Sequence, residues 1–129
     1  MSVKKTKLIK YLLLISLVGA SGAVLAQQGD AKRGQKLFEV CRACHTADGA
    51  TNEVGPSLRG VIGRKAGSLE DFRYSPAMKR SGITWNAQTL DTFIADPQSA
   101  VPANRMPYDG LPNARDRADL IAWLQQAFK

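Results

Sequence analysis

The chain has 129 residues, enough for one domain and hardly for two, and 18 basic against 11 acidic side chains give it a formal net charge of +7. Four of the basic residues precede residue 27, so residues 27–129 carry 14 basic and 11 acidic residues, a net charge of +3. So mild a charge, with no basic run interleaved with aromatic residues, argues against a nucleic-acid-binding protein. It is compatible with a locally positive face that docks on acidic proteins.

The first 26 residues are typical of a bacterial secretory signal. Four lysines precede an apolar run, Tyr11 to Leu25, and small residues surround its end. We predict cleavage after Ala26, export to the periplasm, and a mature domain of residues 27–129. The alternative is an uncleaved anchor that holds the protein at the membrane, facing the periplasm. The apolar run is, however, shorter than the roughly 20 residues that a membrane-spanning helix needs.

Apolar periodicity and capping residues predict four helices and no strand after this segment. Asp30 can cap a first helix that runs to about Cys44 and carries Gly34 and Phe38 on one face. A glycine in that position would allow another helix to approach closely. The following stretch, residues 45–69, is rich in Gly, Ser, Asn and Thr and predicts a long loop.

Three further helices are predicted after this loop. Ser75 is a candidate N-cap for a short helix with Pro76 as its first residue. Asn86 can cap a third helix, which Pro97 stops. The last helix, residues 113–127, has a wide apolar face, which implies deep packing on at least one side.

The two cysteines of the chain and its one histidine lie within five residues, Cys41-Arg42-Ala43-Cys44-His45. A disulfide across so short a loop would constrain the unfolded chain little. A thioredoxin-like redox pair would need a βαβ pattern around it, and the sequence shows none. A zinc site would need a fourth ligand, normally Cys or His, and the sequence has no other residue of either type. Covalent haem attachment uses all three residues, because the thiols add across two vinyl groups and the imidazole binds the iron. We therefore predict one haem c attached through Cys41 and Cys44.

The second axial ligand of the iron must be another residue or a solvent molecule. Methionine is the first candidate, because its thioether is a soft, neutral ligand. Met78 falls in the predicted short helix, where filling a gap in the core is the ordinary role of a methionine. Met106 lies in a loop with two prolines and a glycine, stiff enough to hold a side chain against a flat ring. We predict that His45 and Met106 ligate the iron, with Met78 as the alternative to Met106.

Several segments of the chain, in order, resemble the class I cytochromes c, close to mitochondrial cytochrome c and its small bacterial relatives. The matching segments are Gly34–Phe38, the haem motif, Val54–Leu58, Gly63–Gly67, Gly82–Trp85, the loop around Met106 and Arg117–Leu124. The resemblance implies an all-α cytochrome c fold of three to five helices wrapped around one covalently bound haem. It also implies that the first and last helices cross near Gly34 and Trp123.

The resemblance also assigns further residues to the haem site. It implies that the Pro56 carbonyl accepts the second ring N–H of His45, which would orient the imidazole and increase its donor strength. Arg64, Tyr74 and Trp85 match positions that hold the haem propionates, and buried carboxylates need such partners.

The sequence departs from the family pattern beside the predicted methionine ligand. Phe93 stands where many relatives carry a tyrosine that hydrogen-bonds near the methionine sulfur. Pro107 follows Met106 directly and has no N–H, and Tyr108 stands where an aromatic residue usually shields the haem.

Together these features predict a monomeric, periplasmic one-electron carrier, not an enzyme, between respiratory or dehydrogenase partners. Redox proteins with acidic docking surfaces would meet a positive rim, for which the candidates are Lys36, Arg42, Lys79, Arg80 and Arg105. One alternative is a dedicated haem subunit of an oxidoreductase complex. Another is a ligand-binding or peroxidatic haem protein, if Met106 is not a stable ligand.

Overall fold

A computed structural model describes residues 28–46, 49 and 51–127, so the predicted secretory signal lies outside the described residues. Six helical segments occur in these ranges: α1 (Ala31–Leu37), α2 (Glu39–Arg42), α3 (Pro76–Arg80), α4 (Ala87–Ala95), α5 (Pro97–Ala100) and α6 (Ala114–Ala127). The same ranges contain no strand, and extended chain pairs there in an isolated bridge between Lys65 and Thr84. None of the helices in this part of the chain is long and apolar enough to cross a membrane. The predicted all-α fold is confirmed.

The side chains predicted to cap the helices do so. Asp30 accepts a hydrogen bond of 2.9 Å from a backbone N–H in the first turn of α1. Ser75 caps α3 in the same way at 3.1 Å, and Pro76 is the first residue of that helix. Asn86 and Thr89 form a reciprocal capping box at the start of α4, with both bonds at 2.9 Å. The local chemistry of these residues therefore sets where each helix begins.

The helix count differs from the prediction in two places. The predicted first helix is two segments, because the amide of Cys41 bonds to the carbonyl of Phe38, three residues back, and tightens the chain there. Pro97 does stop α4, as predicted, but it also begins α5, whose first turn is capped by the Asp96 side chain. A helix of four residues has no periodicity to find in a sequence.

Helices α1 and α6 cross in contact at Gly34, which is buried. A Cβ atom added at Gly34 would lie 2.0 Å from the carbonyl oxygen of Asp119 and 2.8 Å from the Cβ of Trp123. One turn further on, the rings of Phe38 and Trp123 pack with their centroids 4.4 Å apart. The predicted crossing of the first and last helices is confirmed.

A buried carboxylate reinforces this crossing. Asp119 is fully buried, and its Oδ1 accepts the backbone N–H of Asp30 at 2.6 Å. Its Oδ2 pairs with the guanidinium of Arg33, which also reaches Asp116 at 2.7 Å. A buried charge is costly unless it is paired and hydrogen-bonded. Asp119 therefore favours the one alignment of α1 on α6 in which these contacts form.

Candidate haem site

A cavity of about 390 Å³ is lined by α2, α3, α4, α6 and the two long loops that follow α2 and α5. Its size is within the range of small-molecule and cofactor sites. Most of its wall is apolar and belongs to the hydrophobic core, including Phe38, Val61, Trp85, Leu90, Phe93, Ile94, Leu120 and Leu124. Cys41, Cys44 and His45 line the same cavity.

His45 is buried, with 9% of its surface exposed, and its Nδ1 lies 2.7 Å from the carbonyl oxygen of Pro56. Because a carbonyl oxygen can only accept, Nδ1 carries the proton and Nε2 keeps its lone pair. Burial lowers the pKa of His45, which favours the neutral imidazole that a metal ion requires. The hydrogen bond that the resemblance implied is therefore present, and it leaves Nε2 available as a ligand.

The backbone just before Pro56 packs directly on this imidazole. A Cβ atom added at Gly55 would lie 2.5 Å from Cε1 of His45. The N–H of Gly55 donates to the carbonyl oxygen of Cys44 at 2.8 Å, which ties this loop to the cysteine turn. The ring is thus held by contact on its face as well as by its hydrogen bond.

The two cysteines are half-buried and form no disulfide. The amides of Cys44 and His45 both donate to the carbonyl oxygen of Cys41, at 3.1 and 2.9 Å, so a tight turn brings the three side chains to one cavity. Burial raises the pKa of the Cys41 thiol. The motif therefore presents two free thiols and one neutral imidazole to the same space.

Arg64, Tyr74 and Trp85, predicted at the propionates, all line the cavity. The guanidinium of Arg64 donates to the carbonyl oxygens of Arg59 and Ser57, each at 2.8 Å, and these bonds hold the charged group in place. Burial raises the pKa of Tyr74, so its hydroxyl stays protonated and can donate a hydrogen bond. A cation and a hydroxyl donor thus line one mostly apolar cavity, as a bound carboxylate would need.

Both candidate methionines line the cavity. Met78 is 9% exposed and lies within α3, in the hydrophobic core. Met106 is half-buried and lies in the segment 101–111, which contains no helix. Phe93 is a buried part of the cavity wall, 5.1 Å from Trp85 between ring centroids.

The polar residues Arg73 and Asn104 were not assigned to the haem site from the sequence. Arg73 adds a second cation next to Tyr74 in the chain, and a basic residue beside a predicted propionate partner was a signal that could have found it. Asn104 is buried and lies two residues before Met106. A polar residue in a loop carries no sequence signal of burial.

These residues fit a covalently attached haem. The thiols and the imidazole have the spacing and the protonation that attachment and iron ligation need. The apolar wall suits a flat macrocycle, and the cations and the hydroxyl suit its two carboxylates.

Comparison with known proteins agrees with this fit. The family model described as Cytochrome c matches residues 31–128. The chain is 50% identical over 99 residues to cytochrome c2 of Rhodoblastus acidophilus, a match that covers 76% of this chain and 92% of that protein. It is 43% identical over 105 residues to cytochrome c of Stellaria longipes, covering 80% and 97% of the two chains. The solved structure of cytochrome cH from Methylobacterium extorquens superposes with a TM-score of 0.71 at 41% identity, covering 75% and 98%.

The family match spans the described fold from α1 to the end of α6. Membership implies one covalently attached haem c with histidine and methionine ligands, and Cys41, Cys44 and His45 stand at the attachment motif. The chain belongs to the cytochrome c family of monohaem electron carriers.

Proposed function

We propose that the protein is a monomeric, periplasmic one-electron carrier in which His45 and Met106 ligate the haem iron. The observation that carries this proposal is the neutral Nε2 of His45 in a cavity that the loop of Met106 also lines. When bound, the haem supplies an iron that cycles between the ferrous and ferric states. With side chains at both axial positions, the protein leaves no open site for oxygen or peroxide, which favours electron transfer over catalysis.

The settings of the two methionines support Met106 as the ligand. Met78 packs in the core at the cavity wall, and its backbone is held in α3 by the Ser75 cap. Met106 lies in a non-helical segment that can be shaped around a cofactor without disturbing a helix. A methionine that only fills a gap in the core can lie within a helix, as Met78 does.

Replacing Met106 with alanine should therefore remove the methionine–iron absorption band at the red end of the ferric spectrum. The reduction potential should fall by on the order of 0.1–0.3 V, part of the roughly 0.8 V range that axial ligands span. The matched control is Met78→Ala, which should keep the band and lower only the stability, since it removes a buried side chain. If Met78→Ala loses the band and Met106→Ala keeps it, the ligand assignment is wrong.

We also propose roles for the other predicted haem contacts. The Pro56 carbonyl holds the imidazole orientation, as its 2.7 Å contact with His45 supports. Arg64, Tyr74 and Trp85 hold the propionates, which their common place in the cavity wall supports.

The charge of the cavity lining supports partners with acidic docking surfaces. Arg64, Arg73 and Arg105 are among the residues that line the cavity, and no acidic residue in the described part of the chain does so. Val40 and Val54 also line it and are 66% and 73% exposed, so apolar contact surface accompanies the positive charge. An acidic partner with a small apolar patch would complement this surface.

Anionic and cationic redox reagents can test this positive field. We expect Arg105→Glu to slow oxidation of the reduced protein by hexacyanoferrate(III) several-fold at low salt, because a steering cation becomes an anion. Oxidation by a cationic cobalt(III) complex should speed up instead. Lys32→Glu changes the net charge equally on α1, away from the cavity, and is the matched control. Equal effects of the two variants would contradict a local positive docking site.

Export through a signal removed after Ala26 would place the mature carrier, residues 27–129, in the periplasm. The basic and apolar pattern before Gln27 supports this proposal.

A further inference from the structure

Asn104 is a polar side chain buried at the wall of the haem cavity, with 8% of its surface exposed. Its Nδ2 donates to the carbonyl oxygens of Pro97 and Val101, at 2.7 and 3.0 Å. Its Oδ1 accepts the backbone N–H of Met106 at 2.8 Å. One amide group therefore connects the backbone of Met106 to both ends of α5.

The partners of Asn104 belong to an anchored part of the fold. Helix α5 is capped by Asp96, whose carboxylate accepts from the backbone N–H and the hydroxyl of Ser99 at 2.9 and 2.6 Å. At the far end of the segment, the N–H of Leu111 donates to the carbonyl oxygen of Ile94 in α4 at 2.8 Å. Asn104 thus ties the middle of the segment to a fixed support.

The backbone next to Asn104 has a conformation that needs such support. Ala103 has φ +64°, in the left-handed region that residues with a Cβ atom rarely adopt. The backbone at Ala103 would adopt a different, less strained conformation unless neighbouring contacts held it in place. Gln98, whose side chain is exposed, also reaches this part of the segment and donates at 3.3 Å to the carbonyl oxygen of Met106.

We propose that Asn104 is a positioning residue for the iron ligand: it holds the backbone of Met106 so that the thioether stays on the iron. This inference rests on the proposed ligation by Met106. The side-chain amide of Asn104 can make all three bonds because it carries two N–H donors and one carbonyl acceptor. Aspartate would face two carbonyl oxygens with a carboxylate. Alanine would remove the acceptor of the Met106 N–H and one of the two donors to each carbonyl oxygen, since Pro97 and Val101 also accept backbone N–H groups.

Loss of this hold should open the iron to added ligands. The segment 97–111 contains no histidine, lysine or cysteine. A displaced Met106 therefore has no imidazole, amine or thiolate side chain in its own segment to take its place. The affinity of the ferric iron for a small external ligand then measures how firmly Met106 is held.

The test is to titrate imidazole into the ferric holoprotein and into its Asn104→Ala and Asn104→Asp variants. We expect both to bind imidazole about tenfold more tightly or more, since each breaks buried hydrogen bonds. The red-end methionine band should weaken. The control Asn113→Ala removes an exposed cap of α6, bonded at 2.9 Å to the amide of Arg115. It should lower the unfolding temperature and leave imidazole affinity unchanged.

A measurement on the unaltered protein tests the same inference if the variants do not fold. The amide of Met106 should exchange its hydrogen slowly in the native holoprotein, although the residue is only half-buried. Exchange at the rate of an unprotected loop amide would overturn the proposal. So would an Asn104→Ala protein with the imidazole affinity of the parent, provided that Met106→Ala has lost the methionine band. If Met106→Ala keeps that band, the ligand assignment itself fails, and this inference with it.

Discussion

Replacing Cys41 and Cys44 together with alanine should abolish covalent haem, so that the denatured polypeptide shows no haem staining on a gel. Both thiols line the cavity beside His45, and no other cysteine occurs in the chain. Without thioether bonds, the haem would be retained only by its iron ligands and by packing in the cavity, and denaturation removes both.

The same variant should lose much of its helical structure. The cavity of about 390 Å³ is walled by side chains from α2, α3, α4 and α6, so without haem these helices face an apolar void. A domain of this size has a limited core and depends on the cofactor to complete it. Far-ultraviolet circular dichroism measures this loss.

Arg42→Ala is the matched control for the double variant. Arg42 lies between the cysteines in the motif, is exposed, and makes only a loose pair with Glu39 at 3.4 Å. It should keep its covalent haem and its helical signal. Haem staining of the denatured double variant would contradict attachment through Cys41 and Cys44.

Gly34→Ala should lower the free energy of unfolding by about 3 kcal/mol or more, at the upper end of overpacking effects. The added Cβ atom would lie 2.0 Å from the carbonyl oxygen of Asp119. That oxygen belongs to the backbone of α6, so it cannot move aside as a flexible side chain would. The helices must separate, which loosens the packing of Phe38 on Trp123.

Whether Gly34→Ala raises or lowers stability shows which contribution dominates, the packing of α1 on α6 or the helix propensity of the residue. In an isolated helix, glycine to alanine is stabilising by about 1 kcal/mol. Gln35→Ala, at the next and exposed position of α1, should leave stability nearly unchanged. Denaturant unfolding of both holoproteins makes the comparison, and a Gly34→Ala protein as stable as its parent would contradict the close crossing.

The parts of the fold that follow from local chemistry could be predicted from the sequence. Ser75 and Asn86 cap the helices that they were expected to cap, because a short polar side chain before a helix satisfies amides nearby in the chain. The haem motif could be identified because its three reactive groups are adjacent. The crossing at Gly34 followed from resemblance and is seen in the packing of α1 on α6.

The remaining features depend on contacts between distant residues. The break at Phe38 is a change from hydrogen bonds that span four residues to one that spans three, which apolar periodicity does not reveal. The burial of Asn104 depends on carbonyl oxygens that the fold brings around it. Met78 was interpreted as a packing residue, and the fold places it in the core and also at the cavity wall.

The two sides of the iron are held by different means in this account. On one side, the carbonyl of Pro56 contacts the ligand side chain of His45 directly. On the other, Asn104 acts through the backbone of Met106, and Phe93 offers no hydroxyl to its sulfur. With the proposed ligand set, the stability of the bond between Met106 and the iron would therefore depend on the shape of the loop that carries Met106.

The ferric absorption spectrum of the purified holoprotein at neutral pH tests the central claim most directly. Ligation by His45 and Met106 predicts the methionine–iron band at the red end of the spectrum, and the band should disappear when excess imidazole displaces the thioether. A ferric spectrum without that band at neutral pH would contradict a stable methionine ligand and, with it, the proposed electron carrier.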